Sequence, residues 1–269
     1  MKVTNLPSII LFASIVFFSC GSSKVATSSD PYEQALAEQG MGATLWFQTS
    51  AEMRAAYYQA YQYGRMILEK KLALQNYDNP AIVFDIDETL LDNSPYQAWL
   101  IHNGRTYSSS TWKDWTDQAR AEALPGALEF VAFVRSKGID VFYISNRKTT
   151  EQKSTMENLK ELGFPQVTDE HVLLRSASSD KTERRKRVQD SHEILLYVGD
   201  NLTDFNQVFD ARGADYGKGL VDQYRQELLN SFVMLPNPMY GEWERAVLRN
   251  ETGLSSQEQA ARRKAALKE

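Results

Sequence analysis

An apolar run, Ala81-Ile82-Val83-Phe84, leads directly into Asp85, Ile86, Asp87 and Glu88. Short unbroken apolar runs bounded by a turn signal, here Asn79-Pro80, mark strands buried on both faces, as in parallel sheets. Ionised carboxylates are costly to bury unpaired. The acids therefore belong at the carboxyl end of the strand, where an open α/β sheet has its ligand crevice. Asp85 and Asp87 stand one residue apart and repel each other. A cation between them relieves that repulsion, and hard oxygen ligands favour Mg²⁺ or a similar ion. Alone, the acidic pair also fits a polar turn after a strand.

The rest of the chain repeats the pattern. Apolar strands are expected at 139–144, 172–174, 194–198 and 231–235, and helices at 126–137, 149–163 and 180–190. This alternation calls for a doubly wound parallel sheet, α/β in class. A length of 269 residues suffices for such a domain plus an insertion.

Residues 30–77 read as helix, with an aromatic stripe suited to core packing and a capping signal at Thr49-Ser50-Ala51-Glu52 for a second helix. Residues 93–125 interrupt the alternation and hold three of the five tryptophans. With the N-terminal helices they would make a small, mainly helical cap. Its aromatics either stabilise that subdomain or stack on a substrate. Tyr96, Trp99, Trp112 and, near the end of the chain, Tyr240 are the stacking candidates. Residues 255–269 form a polar helix, expected to be solvent-exposed.

The ends of the chain and its charge narrow the setting. Residues 1–19 carry Lys2 and a short apolar run, which reads as a signal peptide too short to span a membrane comfortably. Cys20, the single cysteine, follows it and excludes an intrachain disulfide. The position resembles a bacterial lipoprotein processing site, with 20–29 as lipidated Cys and polar tether. The expected setting is the bacterial cell envelope, anchored to the outer membrane. A net charge of -5 gives no footprint for a nucleic-acid polymer.

Three strand ends carry groups suited to phosphate chemistry: Asp85 and Asp87, then Ser145 and Asn146, then Asp200 and Asp204. Lys181 stands at the start of a helix between the last two. Strand ends on one edge of a parallel sheet converge on one crevice. Singly, each residue also fits a bland role: a turn serine, a solvated lysine, a helix-start carboxylate. An EF-hand at 200–204 is excluded by the missing glycine and distal glutamate. His102, His171 and His192 have no metal-like spacing and read as surface or cap residues.

The string D-I-D-E-T-L-L-D-N-S-P-Y resembles the first motif of the haloacid dehalogenase superfamily and, within it, the class C acid phosphatases. The order acidic pair, Ser, Lys, second acidic pair resembles that superfamily's four motifs. G-D-N-L-T-D-F at 199–205 and Y-G-E-W at 240–243 extend the likeness over nearly the whole chain. The resemblance implies a phosphatase domain over 30–269 and one Mg²⁺ per site, held by Asp85, the Asp87 backbone, Asp200 and nearby Asp204. Asp85 would be the nucleophile forming an aspartyl-phosphate, and Asp87 the general acid and then base. Ser145, Asn146 and Lys181 would bind the phosphoryl oxygens. Small phosphomonoesters, nucleoside 5′-monophosphates in particular, are the implied substrates, in an acidic working range. A phosphotransferase of the same fold and a non-catalytic surface lipoprotein are the alternatives, and the aromatic content leaves room for a homodimer.

Overall fold

The computed structural model describes Met1 and residues 31–269. The expected signal peptide, Cys20 and the tether lie outside the described residues. The chain opens with three helices, α1 (Pro31–Glu38), α2 (Met41–Thr49) and α3 (Ala51–Leu74). The stretch expected to hold two helices thus breaks twice. Gly40 precedes α2, and Ser50 caps α3, accepting from the Met53 amide at 3.0 Å. Strand β1 (Pro80–Phe84) follows, then β2 (Leu91–Asp92), α4 (Ser94–His102), α5 (Ser109–Thr116) and β3 (Glu122–Ala123). The later elements are α6 (Ala127–Ser136), β4 (Asp140–Lys148), α7 (Gln152–Glu161), β5 (Val172–Arg175), α8 (Thr182–Gln189) and β6 (Glu193–Gly199). They continue as α9 (Leu202–Phe205), α10 (Lys218–Gln223), α11 (Arg225–Ser231), β7 (Phe232–Met234), α12 (Glu242–Val247) and α13 (Ser256–Ala265).

Five strands pair in the order β5-β4-β1-β6-β7, all parallel. Strand β1, which leads into Asp85, is therefore central. Its side chains alternate between two apolar layers, as the period-2 pleat requires. Ile82 and Phe84 join Val141, Tyr143, Leu196 and Val198 under α3 and α6. Ala81 and Val83 join Phe142, Ile144, Tyr197 and Phe232 under α8 and α11. Helices on both faces of a parallel sheet make the fold doubly wound, as the sequence pattern implies. Helix α3 lies close to the sheet at Gly64, where an added Cβ would meet Val233 Cγ2 at 2.9 Å and Phe130 Cζ at 3.0 Å.

The insertion leaves and rejoins the core at one neck. There β2 pairs antiparallel with β3, and the Leu124 amide donates to the Leu90 carbonyl at 2.9 Å. Helix α4 packs on α1 and α2, so these two helices and the insertion form one cap, whereas α3, expected in the cap, packs on the sheet instead because its aromatic stripe covers the apolar face. The C-terminal helix is solvent-exposed as expected, with no buried residue, yet α13 also packs along α1, and its Arg263 is paired with Glu244 of α12. Its polar face meets charged partners instead of water alone, which its sequence composition does not reveal.

Candidate active site

Asp85 is placed by the ladder itself. Its amide donates to Val198 O at 2.8 Å, carrying the β1–β6 pairing one residue past the strand. The chain then turns sharply, with Glu88 at φ 53° and the Leu90 and Leu91 amides both on Ile86 O at 2.8 and 2.9 Å. Two tyrosines of α3 hold this turn from behind. Tyr57 donates to Glu88 O at 2.5 Å and Tyr61 to Thr89 O at 2.6 Å. The aromatic stripe of α3 thus packs the core and also satisfies buried carbonyls of the acidic loop.

Asp200 and Asp204 arrive from β6 and α9. Oxygens of Asp85, Asp200 and Asp204 lie within 4.8 Å of one another, and all three residues are buried. Gly199 makes this possible, because a Cβ there would stand 2.3 Å from Asp204 Oδ2. Asp204 Oδ2 accepts from the Asn201 amide at 3.0 Å, and Asp200 Oδ2 accepts from Asn237 Nδ2 at 2.7 Å. Lys181, at the start of α8, bridges two of the acids. Its ammonium donates to Asp85 and, at 2.6 Å, to Asp204 Oδ1.

One ammonium among three carboxylates leaves negative charge uncompensated. Burial pushes the Asp85 carboxyl up to about 7; Lys181 pulls it back, and Asp204 and Asp87 add to the rise. Burial, then Asp204 and Asp85, push Asp200 well above the ordinary range. Burial works against the charge on Lys181, but Asp204 and Asp85 outweigh it and hold the ammonium on. A buried set of hard oxygens with surplus negative charge fits a divalent cation of the Mg²⁺ type.

Asp87 points elsewhere. Its Oδ1 accepts from Asn93 Nδ2 at 2.9 Å and from Arg147 Nε at 2.9 Å, and its Oδ2 accepts from Ser145 Oγ at 3.0 Å. Asn93 Oδ1 accepts in turn from Trp115 Nε1 of the cap at 2.8 Å and from Arg147 Nη2 at 3.2 Å. One buried asparagine therefore ties Asp87, Arg147 and the cap together. Ser145 is fully buried, and its hydroxyl also accepts from the Arg147 amide at 3.0 Å. Asn146 Oδ1 accepts from Arg184 Nη2 at 2.7 Å.

A cavity of about 600 Å³ opens over these groups. Asp85, Asp87, Asn146, Lys181, Asp200 and Asp204 all line it, so these six sequence-derived residues share one space. Six carboxylates and six cationic side chains line it in all, before any bound cation. Of the four aromatic candidates, Trp112 and Tyr240 are in its wall. Tyr96 is buried and exchanges a hydrogen bond with Thr111, and exposed Trp99 stacks on it at 6.2 Å; neither lines the cavity. The cap's aromatic density thus serves packing at 96 and 99 and the cavity at 112. His171 and His192 flank Phe142, away from the acids, and His192 bonds Asp140.

Four more residues bond to these groups without a motif of their own to mark them. Arg147 follows directly on Ser145-Asn146, and Asn93 sits inside the acidic string itself. Asn237 falls between two prolines after the last strand, and Arg184 lies in a charged run that reads as solvated. Their signal was adjacency to recognised motifs; nothing in their spacing marks them as pointing inward.

A family model described as HAD superfamily, subfamily IIIB (acid phosphatase) matches residues 10–243. Among solved structures, the class C acid phosphatase from Bacillus anthracis is similar, with a TM-score of 0.83 and 42% identity over 87% of this chain and 98% of that one. The same figures hold for that protein's crystal structure with tungstate bound. Among curated proteins, acid phosphatase 1 of Solanum lycopersicum is 30% identical over 167 residues, covering 59% of this chain and 57% of that one. The stem 28 kDa glycoprotein of Glycine max is 28% identical over 191 residues, covering 68% and 65%. The chain thus spans about three fifths of the length of these curated relatives.

Proposed function

The chain belongs to subfamily IIIB (acid phosphatase) of the HAD superfamily, and from that premise we propose that it hydrolyses small phosphate monoesters through an aspartyl-phosphate. The observation that carries this reading is Lys181 bridging Asp85 and Asp204 beside Asp200. A phosphate monoester is an anion, and a carboxylate attacks it only where charge is offset in advance. Lys181 supplies part of that offset. Asp85, Asp200 and Asp204 would hold Mg²⁺, which when bound neutralises charge between nucleophile and phosphoryl oxygens.

Asp85 attacks phosphorus and the ester oxygen leaves, protonated by Asp87. Asp87 then takes a proton from the water that cleaves the acyl phosphate, which regenerates the Asp85 carboxylate. Asn146 and Lys181, which line the cavity, receive the phosphoryl oxygens together with Ser145, which is enclosed beside them and bonded to Asp87. Nucleoside 5′-monophosphates are the favoured substrates, supported by a cavity within the usual range for small-molecule sites and by Trp112 and Tyr240 in its wall. Cys20, the chain's only cysteine, supports attachment to the bacterial envelope through a lipid.

The test is phosphate release from a nucleoside monophosphate and an aryl phosphate, with Mg²⁺ and with chelator. Metal-dependent turnover that vanishes in Asp85→Asn is the expected result. Undiminished turnover in Asp85→Asn would sink the mechanism.

A further inference from the structure

One wall of the cavity is not used by the reaction itself. It is built by α12 and α13, which contribute Glu244, Arg245, Gln259 and Arg263. All four fall beyond residue 243, where the match to the family model ends. Helix α13 is fixed against α1, and Arg263 Nη2 donates to Glu244 Oε1. That ion pair is 27% and 22% exposed, so the guanidinium is anchored yet still reaches open space.

The anchoring leaves donors to spare. Among the described residues, Glu244 is the one hydrogen-bond partner of Arg263, and its Nε is buried without any. On the same cavity wall, the Tyr240 hydroxyl is also buried without a partner. Buried donors are ordinarily paired. Arg263 Nη1 is likewise without a hydrogen-bond partner but is not enclosed, so it is the donor that an acceptor in the cavity can reach. Charge says what kind. Arg263 is matched by Glu244, and Arg245 by Glu242 at 2.6 Å, so this end is close to neutral. An uncharged acceptor suits it better than a second phosphate.

We propose that Arg263 recognises the leaving group, donating to an uncharged acceptor such as a carbonyl oxygen or ring nitrogen on the non-phosphate half of the substrate. Helix α13 then sets a preference for base-bearing over plain aryl phosphates. This rests on the phosphomonoesterase reading above. Arg263 takes no part in bond making, so its loss acts on one substrate class and spares the other.

The test compares adenosine 5′-monophosphate with phenyl phosphate. The double variant R263M/E244Q avoids leaving Glu244 unpaired, and R263K keeps a cation for Glu244 while removing the planar fork. Both variants are expected to lose about tenfold in kcat/KM on the nucleotide, mostly through KM, and less than about twofold on phenyl phosphate. Retained phenyl phosphate turnover certifies the fold in the same assay. If R263K changes neither substrate, or lowers both alike, the inference is overturned and the phosphatase reading stands. A wild-type protein that hydrolyses neither substrate overturns both.

Discussion

Arg147 holds a single oxygen of Asp87 with two of its nitrogens, Nε at 2.9 Å and Nη2 at 2.8 Å. The arginine is enclosed, and its other donors go to Thr155 and Asn93. Asp87, the proposed proton donor, is therefore fixed in direction by a planar cation. A lysine offers one nitrogen and cannot reproduce that fork. Arg147→Lys is expected to lower kcat about a hundredfold, because an acid misaligned by a fraction of an ångström works poorly. Losing the hydrogen bonds that lysine cannot replace also costs about 1–2 kcal/mol of stability. Steady-state kinetics with thermal unfolding of the same variant measures both. Normal kcat with lowered stability would reduce Arg147 to a structural role.

The sequence carried the main lines of this site for a physical reason. A parallel strand buried on both faces must be apolar, so a break in the apolar run is conspicuous: Asp85 and Asp200 directly follow β1 and β6, and Ser145 ends the apolar run 141–144 inside β4, which continues to Lys148. Lys181 was legible from its order among them. Arg147, Asn93 and Asn237 were not, because a polar residue one step from a motif looks the same whether it turns inward or outward. The contacts of the exposed C-terminal helix have no sequence signal for a similar reason. A polar composition reads as exposure, and Arg263 is matched by Glu244, 19 residues away along the chain. Tyr57 and Tyr61 read correctly as core, while their hydroxyl bonds to the acidic loop have no trace in spacing.

Gly199 should tolerate no side chain. An added Cβ would lie 2.3 Å from Asp204 Oδ2 and 2.7 Å from Asp204 Cβ, so Asp204 must swing away. That breaks its bond to Lys181 and its cap on the Asn201 amide. Gly199→Ala is expected to weaken Mg²⁺ binding at least about tenfold and to cut kcat/KM about a hundredfold, with the far-ultraviolet circular dichroism unchanged. Wild-type metal affinity in this variant would show that Asp204 is not needed for the metal.

Metal affinity should depend on pH with a definite sign. Burial and the neighbouring carboxylates push Asp85 up to about 7 against the pull of Lys181, and they raise Asp200 as well. A carboxyl must lose its proton to bind the ion. Affinity therefore falls as pH drops below about 7, by roughly tenfold per pH unit for each proton released. Calorimetric titration of the metal-free protein with Mg²⁺ from pH 5 to pH 8 measures this. A dissociation constant that stays flat over the range would place the ion elsewhere.

Glu88 offers a stability test independent of catalysis. It is fully buried; one oxygen accepts from the Asn93 amide at 2.8 Å and the other has no partner. Burial, then the charges of Asp87 and Asp200, push its carboxyl well above the ordinary range. The folded protein thus keeps Glu88 protonated at pH values where the unfolded chain has released the proton. Below the unfolded value, near pH 4.5, both states are protonated and the residue's full contribution is present. As pH rises above it, folding must take up a proton, and stability falls by about 1.4 kcal/mol per pH unit until the folded group ionises. Glu88→Gln keeps the shape and removes the titration. The variant should match wild type near pH 4.5 and then gain on it by roughly 2–4 °C in Tm per pH unit. Thermal unfolding of both proteins in chelator, from pH 4.5 to pH 8, reads the gap directly. A gap that stays constant with pH would mean that Glu88 is ionised in the folded protein, with a partner for its second oxygen.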